Sequence, residues 1–440
     1  MSLSSSSSSS SYYDVIIIGS GMAGLYAGLQ VKKLAPKLSF IVVEKYDTYG
    51  GRSYNETFEN TSVVTGAGIG RLHKDKLLLG LMRKFKIPID TFETGHNFVA
   101  SLEPVCHVKT TFMELKHAYN KSHTHGHEHP HTTFKKFATD ILGKKEYDNF
   151  VMCAGYSDYE NEDAYDVLYH YNFDDNYNRW VGFSVPWKTL VDKIVHTLGS
   201  GDHIINNTEV TRITKYDDAY FEITTKHPHH PHHQTQSKKK YYCEKVVVAT
   251  DIDGIKDLIQ YNSSIPESES VSNLYSQIKG QPFLRLYAKF SRASIPFLKE
   301  KIQGVTIIPG PMQKVIPMDP DHGVYMIIYS DNHDADFFKK YFKNNEKNRT
   351  ALNEMLETAL NLKGKLSIEN FKDFYWKNGT HYYTPLTSQF DTRQGFIAKA
   401  QHPDPNVLVV GEVVSLHQGW VEGALESVDQ TLTKKWLMSS

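Results

Sequence analysis

Residues 13–52 read YDVIIIGSGMAGLYAGLQVKKLAPKLSFIVVEKYDTYGGR and decide the fold. Asp14 to Ile18 form an apolar run rich in β-branched residues, which is typical of a buried parallel strand. The run leads into Gly19, Gly21 and Gly24, which have the spacing Gly-x-Gly-x-x-Gly. The first glycine permits a tight turn, the second lets a pyrophosphate approach the main chain, and the third lets a helix pack closely on the strand.

The next helix and strand complete this pattern. Residues 22–33 are predicted to form a helix whose N-terminal N–H groups point at phosphate. A second strand over residues 39–43 ends at Glu44, 20 residues after Gly24, where an acid accepts hydrogen bonds from the ribose hydroxyls. The sequence therefore predicts a dinucleotide-binding unit, and the further cofactor-binding residues assigned to it are Met22, Ala23 and Lys45.

A second glycine motif indicates which dinucleotide is bound. Gly50, Gly51 and Arg52 follow the ribose acid, and this GGR resembles the second phosphate motif of the flavin amine oxidase superfamily. The resemblance implies FAD as the cofactor, with the glycines bringing main chain close to it and Arg52 pairing with the pyrophosphate. The alternative is an ordinary Gly-Gly turn.

Two segments in the middle of the chain extend the resemblance. Residues 63–72, VVTGAGIGRL, are similar to the glycine-rich segment that passes beside the isoalloxazine, which implies a place there for Ala67, Gly68 and Ile69. Val210 resembles the valine whose main chain holds the adenine. Residues 242–251, YCEKVVVATD, resemble a further strand of the same superfamily.

The C-terminal segment carries another strong match. Residues 407–410 are predicted to form a strand that enters Gly411 and Glu412, and residues 418–427, QGWVEGALES, resemble the superfamily's closing motif. The resemblance places Glu412 near the ribityl or pyrophosphate region. It places Trp420 as one aromatic wall and Val421 at a helix N-terminus beside the flavin. The opposing aromatic is predicted to be Tyr382, with His381 and Tyr383 as alternatives, whereas a purely structural role for these aromatics is the competing interpretation.

One strand departs from the superfamily pattern. Residues 283–290, FLRLYAKF, alternate in the manner of a strand, so Arg285, Tyr287 and Lys289 share a face. Many members have a lysine there that is bound through a water to flavin N5, and the matching position falls on Arg285. Three possibilities are open: Arg285 substitutes, Lys289 does so after a register change, or the function of that lysine is absent.

Composition excludes several classes of protein. The 440 residues carry a net charge of −1 with a pI near 7.1, which argues against a nucleic-acid partner. The three cysteines are far apart, so neither a disulfide framework nor a zinc site is predicted, and a reducing, cytoplasmic compartment is expected. No apolar run is long enough to span a membrane, and no metal is predicted.

Two polar regions of the sequence each allow more than one role. Residues 157–178 are dense in acid and tyrosine, which fits a solvated face or a surface that steers a cationic substrate. Two histidine-rich tracts, within residues 117–131 and 227–233, could chelate a metal, but proline interrupts both, and surface loops without a physiological ligand are expected.

The predicted fold class is α/β, with a discontinuous Rossmann-like FAD-binding domain and a mixed α+β substrate domain. The serine-rich residues 1–11 are expected to be disordered. The FAD-binding domain is assigned to residues 12–75, 185–262 and 396–440, and the substrate-binding domain to residues 76–184 and 263–395.

The function implied by the resemblance is an FAD-dependent amine oxidase. Hydride passes from an amine-bearing carbon to flavin N5, and the products are an imine, then an aldehyde or keto compound, ammonia or amine, and hydrogen peroxide formed from dioxygen. The substrate is a small amine or amino acid: Arg285 would favour a carboxylate and the acidic block a polyamine. The alternatives are a desaturase or protoporphyrinogen-oxidase-like enzyme with an apolar substrate, and a flavin-binding scaffold without catalysis.

Overall fold

The strand that leads into Gly19 lies in the middle of a mainly parallel sheet in the computed structural model, which describes residues 11–439 except 104, 124–130, 200, 217–219, 228–238, 262–264 and 266–273. The strands in these residues are β1 (Ser11–Ile18), β2 (Phe40–Val43), β3 (Asn55–Phe58), β4 (Thr61–Val64), β5 (Gly70–Arg71), β6 (Thr91–Glu93), β7 (Asn97–Phe98), β8 (Val181–Phe183), β9 (Ile204–Ile205), β10 (Glu209–Tyr216), β11 (Tyr220–Lys226), β12 (Lys239–Val248), β13 (Ile278–Phe290), β14 (Thr306–Ile307), β15 (Lys314–Asp319), β16 (Val324–Asp331), β17 (Ile368–Tyr383) and β18 (Val407–Val409).

The α-helices of the described residues are α1 (Met22–Leu34), α2 (Lys76–Lys84), α3 (Val108–His123), α4 (Phe134–Leu142), α5 (Lys144–Ala154), α6 (Ala164–Tyr169), α7 (Trp187–Leu198), α8 (Ile252–Ile255), α9 (Ile295–Lys301), α10 (Asn332–Phe337), α11 (Glu346–Leu360), α12 (Arg393–Gln401), α13 (Val421–Thr431) and α14 (Lys434–Met438). Residues 256–261 continue α8 as a π-helical turn. No helix of the described residues is long and apolar enough to cross a membrane.

The first sheet has the order β10-β11-β12-β1-β2-β9, with β18 also paired to β12. β1 pairs in parallel with β12 and β2, whereas β10 and β11 form an antiparallel extension. Both faces of β1 are covered, since Val15 and Ile17 pack under α1, α7 and α13, while Ile16 and Ile18 pack in a second core with α8 and α12. Burial on both faces explains the uninterrupted apolar run of the sequence. The predicted α/β class is confirmed.

A second, mixed sheet carries the other large core. Its order is β17-β13-β16-β15-β14-β7, and the long strands β13 and β17 pair antiparallel over most of their length. At one end of this pair, Ile278 and Tyr383 join the core beneath β1. The ends of β13 and β17 therefore lie against the parallel sheet.

The helical segment α3–α6 contains a disulfide that the sequence analysis did not predict. Cys106 and Cys153 are bonded, with their Cα atoms 5.3 Å apart and a sequence separation of 47. The prediction of no disulfide is wrong because sequence distance carried no information about how the loop before α3 packs on α5. The expectation of a reducing, cytoplasmic compartment rested on that prediction and loses this support.

The acidic region of residues 157–178 is also not a solvated face. Four of its acids are less than 9% exposed, namely Asp158, Glu162, Asp163 and Asp166. Asp163 and Asp166 lie close to the guanidinium of Arg393, with Asp166 hydrogen-bonded to it at 2.6 Å. The expectation of a solvated face is therefore wrong for these four residues.

The histidine tracts fall mostly on residues that the structure does not describe, as does the serine-rich segment 1–10. Of the described members, His131 Nδ1 lies 2.9 Å from Asp163 Oδ2 and His227 Nδ1 lies 2.8 Å from the carbonyl oxygen of Asn207. Within the described ranges no group of three or more His, Cys, Asp or Glu side chains has the arrangement of a metal site.

Candidate active site

The three glycines of the first motif differ in what surrounds them. Gly19 has a φ of +101°, and a Cβ there would lie 2.5 Å from the carbonyl oxygen of Ala249. A Cβ on Gly24 would lie 1.9 Å from the carbonyl oxygen of Gly19, so only glycine lets α1 pack this closely on β1. A Cβ on Gly21 would meet no atom of the described residues within 4 Å. The open space at Gly21, at the N-terminus of α1, fits a phosphate group held by the N–H groups of Met22 and Ala23.

Glu44 lies at the end of β2 beside the glycine motif. Its Oε2 accepts hydrogen bonds from Ser20 N at 2.7 Å and Ser20 Oγ at 2.6 Å, and its Oε1 accepts from Tyr46 N at 2.9 Å. Each carboxylate oxygen has two acceptor sites, so Oε1 retains one of them. Glu44 is thus fixed in orientation and still able to accept one ribose hydroxyl.

The segment around Val210 lies next to Glu44. Thr208 N donates to the carbonyl oxygen of Glu44 at 2.8 Å, and Asn207 N donates to that of Tyr46 at 3.0 Å. Lys45, the other residue assigned here, pairs with Glu209 at 3.1 Å. The main chain of residues 207–210 therefore borders the expected adenosine region.

The guanidinium of Arg52, which is expected to pair with the pyrophosphate, already has partners within the protein. Its Nη2 pairs with Glu412 Oε2 at 3.1 Å, and its Nη1 donates to the carbonyl oxygens of Gly379 at 2.7 Å and Asn378 at 3.3 Å. Gly51 nonetheless lies against Gly21, since a Cβ on Gly51 would be 3.5 Å from the Cα of Gly21. Arg52 joins the glycine region to β17 and would have to share its remaining N–H groups with a phosphate.

Glu412 is the centre of a buried hydrogen-bond network. It accepts from His381 N at 2.9 Å, His381 Nδ1 at 2.7 Å and Gly419 N at 3.0 Å, in addition to Arg52. The N–H of Ile252 donates to His381 Nε2, so the imidazole proton is on Nδ1. Burial disfavours the ionised carboxylate, but interactions with His381 and Arg52 outweigh it and hold the pKa of Glu412 well below its usual range.

The glycine-rich segment of residues 66–69 faces β13. Arg285 Nε donates to the carbonyl oxygen of Gly66 at 2.8 Å, and a Cβ on Gly68 would lie 3.3 Å from Arg285 Nη2. Trp187 Nε1 donates to the carbonyl oxygen of Gly68 at 3.0 Å. Gly68, the residue before Ile69, is therefore held between α7 and Arg285.

Arg285 and Lys289 occupy different surroundings. Arg285 is buried, donates to the hydroxyl of Tyr329 at 3.1 Å and stacks on that ring at 4.1 Å. The ammonium of Lys289 donates to the carbonyl oxygen of His322 in an exposed contact. The register-change alternative therefore places no ammonium beside Gly68. Nε, Nη1 and Nη2 of Arg285 each already donate once, so a substrate carboxylate would have to pair with the remaining N–H of Nη1 and of Nη2.

Trp420 precedes α13, and one face of its indole is covered. The guanidinium of Arg71 lies 3.8 Å from the indole centroid, and the Trp180 ring meets it edge-on at 6.3 Å. Arg71 is held in turn by Asp75 and Asp175. Sequence reasoning missed Arg71, although it lies within the glycine-rich segment of residues 63–72.

Alternation along β17 separates the three candidates for the opposing aromatic. His381 and Tyr383 point to the buried side, where they bond to Glu412 and to the carbonyl oxygen of Ser415. Tyr382 is half-buried on the other side, where burial and Glu162 raise its pKa. Thr380 shares that side and lies nearest the loop before Trp420, since a Cβ on Gly419 would be 3.8 Å from its Cγ2.

A small cavity lies between β13, β17, the loop before Trp420 and the acidic region. We call it the acceptor cavity, and its lining residues are Asp158, Glu162, Tyr171, Gln281, Thr380, His381, Leu416, Gln418 and Gly419. The centre of a water-sized sphere can move through about 20 Å³ of this cavity. This space holds one water molecule or one ammonium group. The side-chain oxygens of Gln281 and Gln418 have no hydrogen-bond partner within the described chain. Asp158 and Glu162 add two buried carboxyl groups, so hydrogen-bond acceptors dominate the wall.

Comparison with known proteins identifies the family. The profile described as "Flavin containing amine oxidoreductase" matches residues 22–428. The chain therefore belongs to the flavin-containing amine oxidoreductase family, as the motifs predicted.

Individual relatives are distant. A solved structure of putrescine oxidase bound to putrescine matches with a TM-score of 0.71, 13% identity, and coverage of 96% of this chain and 98% of the other. A single mutant of putrescine oxidase with redesigned cofactor binding matches with a TM-score of 0.72 at the same identity and coverage. An uncharacterised protein of Acanthamoeba polyphaga mimivirus is 29% identical over 136 residues. That match covers 26% of this chain and 25% of the viral protein. The matches to solved structures, at 13% identity, show the fold alone.

Proposed function

We propose that the protein binds FAD and oxidises an amine, with dioxygen as the electron acceptor. Bound FAD supplies the acceptor for the two electrons and the hydrogen of the amine-bearing carbon. The residues that would hold its phosphates and adenosine are the N-terminus of α1, Gly21, Gly51, Glu44 and the main chain around Val210. The open space at Gly21, flanked by glycines whose Cβ positions are filled by protein atoms, supports this assignment.

The acceptor cavity is the observation that favours an amine over an apolar substrate. Two buried acids, Asp158 and Glu162, line it beside Gly419 and the C-terminal motif, together with Gln281 and Gln418, whose side-chain oxygens have no hydrogen-bond partner among the described residues. Burying such acceptors without donors is costly, and an ammonium group provides up to three N–H donors and a positive charge. An apolar desaturase-type substrate would leave these acceptors unsatisfied.

Residues of this chain would orient the substrate and exclude water from it. Thr380, on the outer side of β17, lines the acceptor cavity, and Trp420 and Tyr382 would border the approach from it toward the glycine-rich segment. Arg285 would fix the main chain of Gly66 and Gly68 behind the flavin and stand where other members place a lysine. Holding the amine-bearing carbon at roughly 3 to 3.5 Å from its acceptor atom is the geometric requirement for transfer.

An amine screen with two readouts tests this function. Purified protein should be yellow, and among monoamines, diamines, polyamines and amino acids one class should both bleach the flavin anaerobically and give peroxide in air. Cationic amines without a carboxylate should be preferred because of the acceptor cavity. Protein that cannot be reconstituted with FAD would contradict the proposal, and flavin that no amine bleaches would favour the scaffold or desaturase alternative.

A further inference from the structure

We propose that Asp158 is the base that takes a proton from the substrate's ammonium group before the carbon–hydrogen bond is cleaved. This inference rests on the proposed amine oxidation and adds a catalytic residue to it. A primary alkylamine has a pKa near that of lysine, so on the order of one molecule in a thousand is neutral at pH 7. Only the neutral amine has a lone pair to assist cleavage of the neighbouring C–H bond, so a base at the site would raise the reactive fraction.

The position of Asp158 meets the geometric requirement for such a base. Its side chain is 8% exposed and lines the acceptor cavity together with Thr380 and Gly419. The hydroxyl of Tyr171 donates to its Oδ1 at 2.6 Å, which orients the carboxylate. Across the described ranges, no Lys, Arg or His makes an ion-pair contact with Asp158 or Glu162. The carboxylates therefore face a space of ammonium size without a protein cation in contact.

The surroundings of the two carboxyl groups raise the pKa of both. The charged or titratable side chains around Asp158 are Tyr156, Tyr159, Glu162, Tyr171, Lys314, Asp331 and His381. Burial and the neighbouring Asp331 raise the pKa of Asp158 to about 7, against the lowering effects of Tyr171 and Lys314. Burial, followed by Asp166 and Asp158, raises the pKa of Glu162 well above its usual range. Near neutral pH a substantial fraction of Asp158 is thus ionised and able to accept a proton, whereas burial and the two neighbouring carboxyl groups make Glu162 harder to ionise.

The proton transfer is balanced without any further reactant. One N–H bond of the ammonium breaks, its electron pair stays on nitrogen, and an O–H bond forms on the Asp158 carboxylate. Removal from water lowers the pKa of the bound ammonium toward that of Asp158. No electron leaves the substrate in this step, and the later oxidation is the one already proposed.

The main test compares Asp158→Asn with Glu160→Gln across pH. Glu160 is two residues away, but its carboxylate bonds to Tyr147 and Lys135 outside the cavity, so its variant is a matched control. The readout is the rate of anaerobic flavin bleaching by the fastest amine of the screen. Wild type and control should lose rate below about pH 7, as Asp158 becomes protonated. In Asp158→Asn this loss of rate below pH 7 should be absent. Its bleaching rate should be roughly 10²–10³-fold lower than that of wild type at pH 7.5, and it should recover as the pH approaches the pKa of the amine.

A series of amines with decreasing pKa sharpens the test. Fluorination near nitrogen lowers the amine pKa, so Asp158→Asn should gain rate along the series at fixed pH, whereas wild type should change little. If Asp158→Asn lost rate equally at every pH, or still lost rate below pH 7 as wild type does, the proposed role of Asp158 would be wrong. Either result would leave the proposed amine oxidation unaffected.

A binding measurement separates this inference from the proposed function. The tert-butylammonium ion has no hydrogen on its amine-bearing carbon and cannot be oxidised, so calorimetry can follow its binding to the yellow protein. Its affinity should fall at least several-fold below pH 7 in wild type and in Glu160→Gln, and should lack that dependence in Asp158→Asn. Identical pH dependence in all three proteins would contradict the assignment even if no oxidised amine were found.

Discussion

Glu412 shows at the residue scale how one side chain gathers distant segments. Its four donors come from residues 52, 381 and 419, and the first of these lies more than 300 positions before the other two in the chain. A carboxylate that accepts this many hydrogen bonds in a buried place is held ionised. Glu412 thereby fixes the loop before Trp420, the end of β17 and the GGR motif relative to one another.

Single glycine-to-alanine substitutions in the glycine motif can distinguish residues that bind the ligand from residues that pack the fold. Gly21→Ala places its Cβ in open space, so the free energy of unfolding should stay within about 0.5 kcal/mol, while FAD affinity falls at least tenfold because the phosphate loses its approach. Gly24→Ala forces a Cβ onto the carbonyl oxygen of Gly19 and should cost about 1–3 kcal/mol. Denaturant unfolding and flavin titration of both variants check this. Retention of FAD by Gly21→Ala at wild-type affinity would argue against phosphate binding there.

At the scale of elements, the disulfide ties the loop before α3 to α5. The helices α3–α6 pack around their own aromatic core, which includes Phe134, Phe150 and Phe173. A covalent link across 47 residues restricts the unfolded chain of this segment more than a short loop would.

Reduction of this link should destabilise the protein measurably. The chain-entropy argument gives a stabilisation of about 4 kcal/mol for a loop of this length, and engineered cases usually deliver less. Reductant should therefore lower the melting temperature of wild type but not that of Cys106→Ala, which should already melt at the lower value. Free-thiol counting under denaturing conditions should find one thiol, Cys243, without reductant. Three free thiols would show that the bond does not form.

At the scale of the whole molecule, the expected cofactor region runs along the parallel sheet and ends against the mixed sheet. Glu44 and residues 207–210 lie at one end, the N-terminus of α1 in the middle, and the contact of Gly66 and Gly68 with Arg285 at the other. A ligand that spans this length touches both sheets, so its binding should stabilise the fold as a whole.

This layout predicts a difference between two flavins. FAD added to deflavinated protein should raise the melting temperature, since a ligand at 100 times its Kd contributes about 2.7 kcal/mol. FMN lacks the adenosine that would reach Glu44, so it should give a much smaller shift, and Glu44→Ala should narrow the gap. Equal shifts with FAD and FMN in a thermal scan would show that the adenosine end is not used.

The dinucleotide unit could be predicted because its signals are local. Strand, turn, helix and ribose acid lie within 31 residues, from Asp14 to Glu44, and each is set by periodicity or by a glycine at a fixed offset. The closing motif and the family were likewise predicted from short stretches, and the family is confirmed. The roles of individual site residues, including Trp420 and Tyr382, stay predictions.

The sequence by itself determined the α/β class and the family, because these depend on patterns within a few turns of chain. Only the tertiary structure decided that Cys106 meets Cys153, that Asp158 and Glu162 are buried beside Gly419, and that Arg52 is committed to Glu412. The physical reason is that burial and pairing depend on which distant surfaces pack together. An acid in the sequence shows its charge but not whether water or a cavity will surround it.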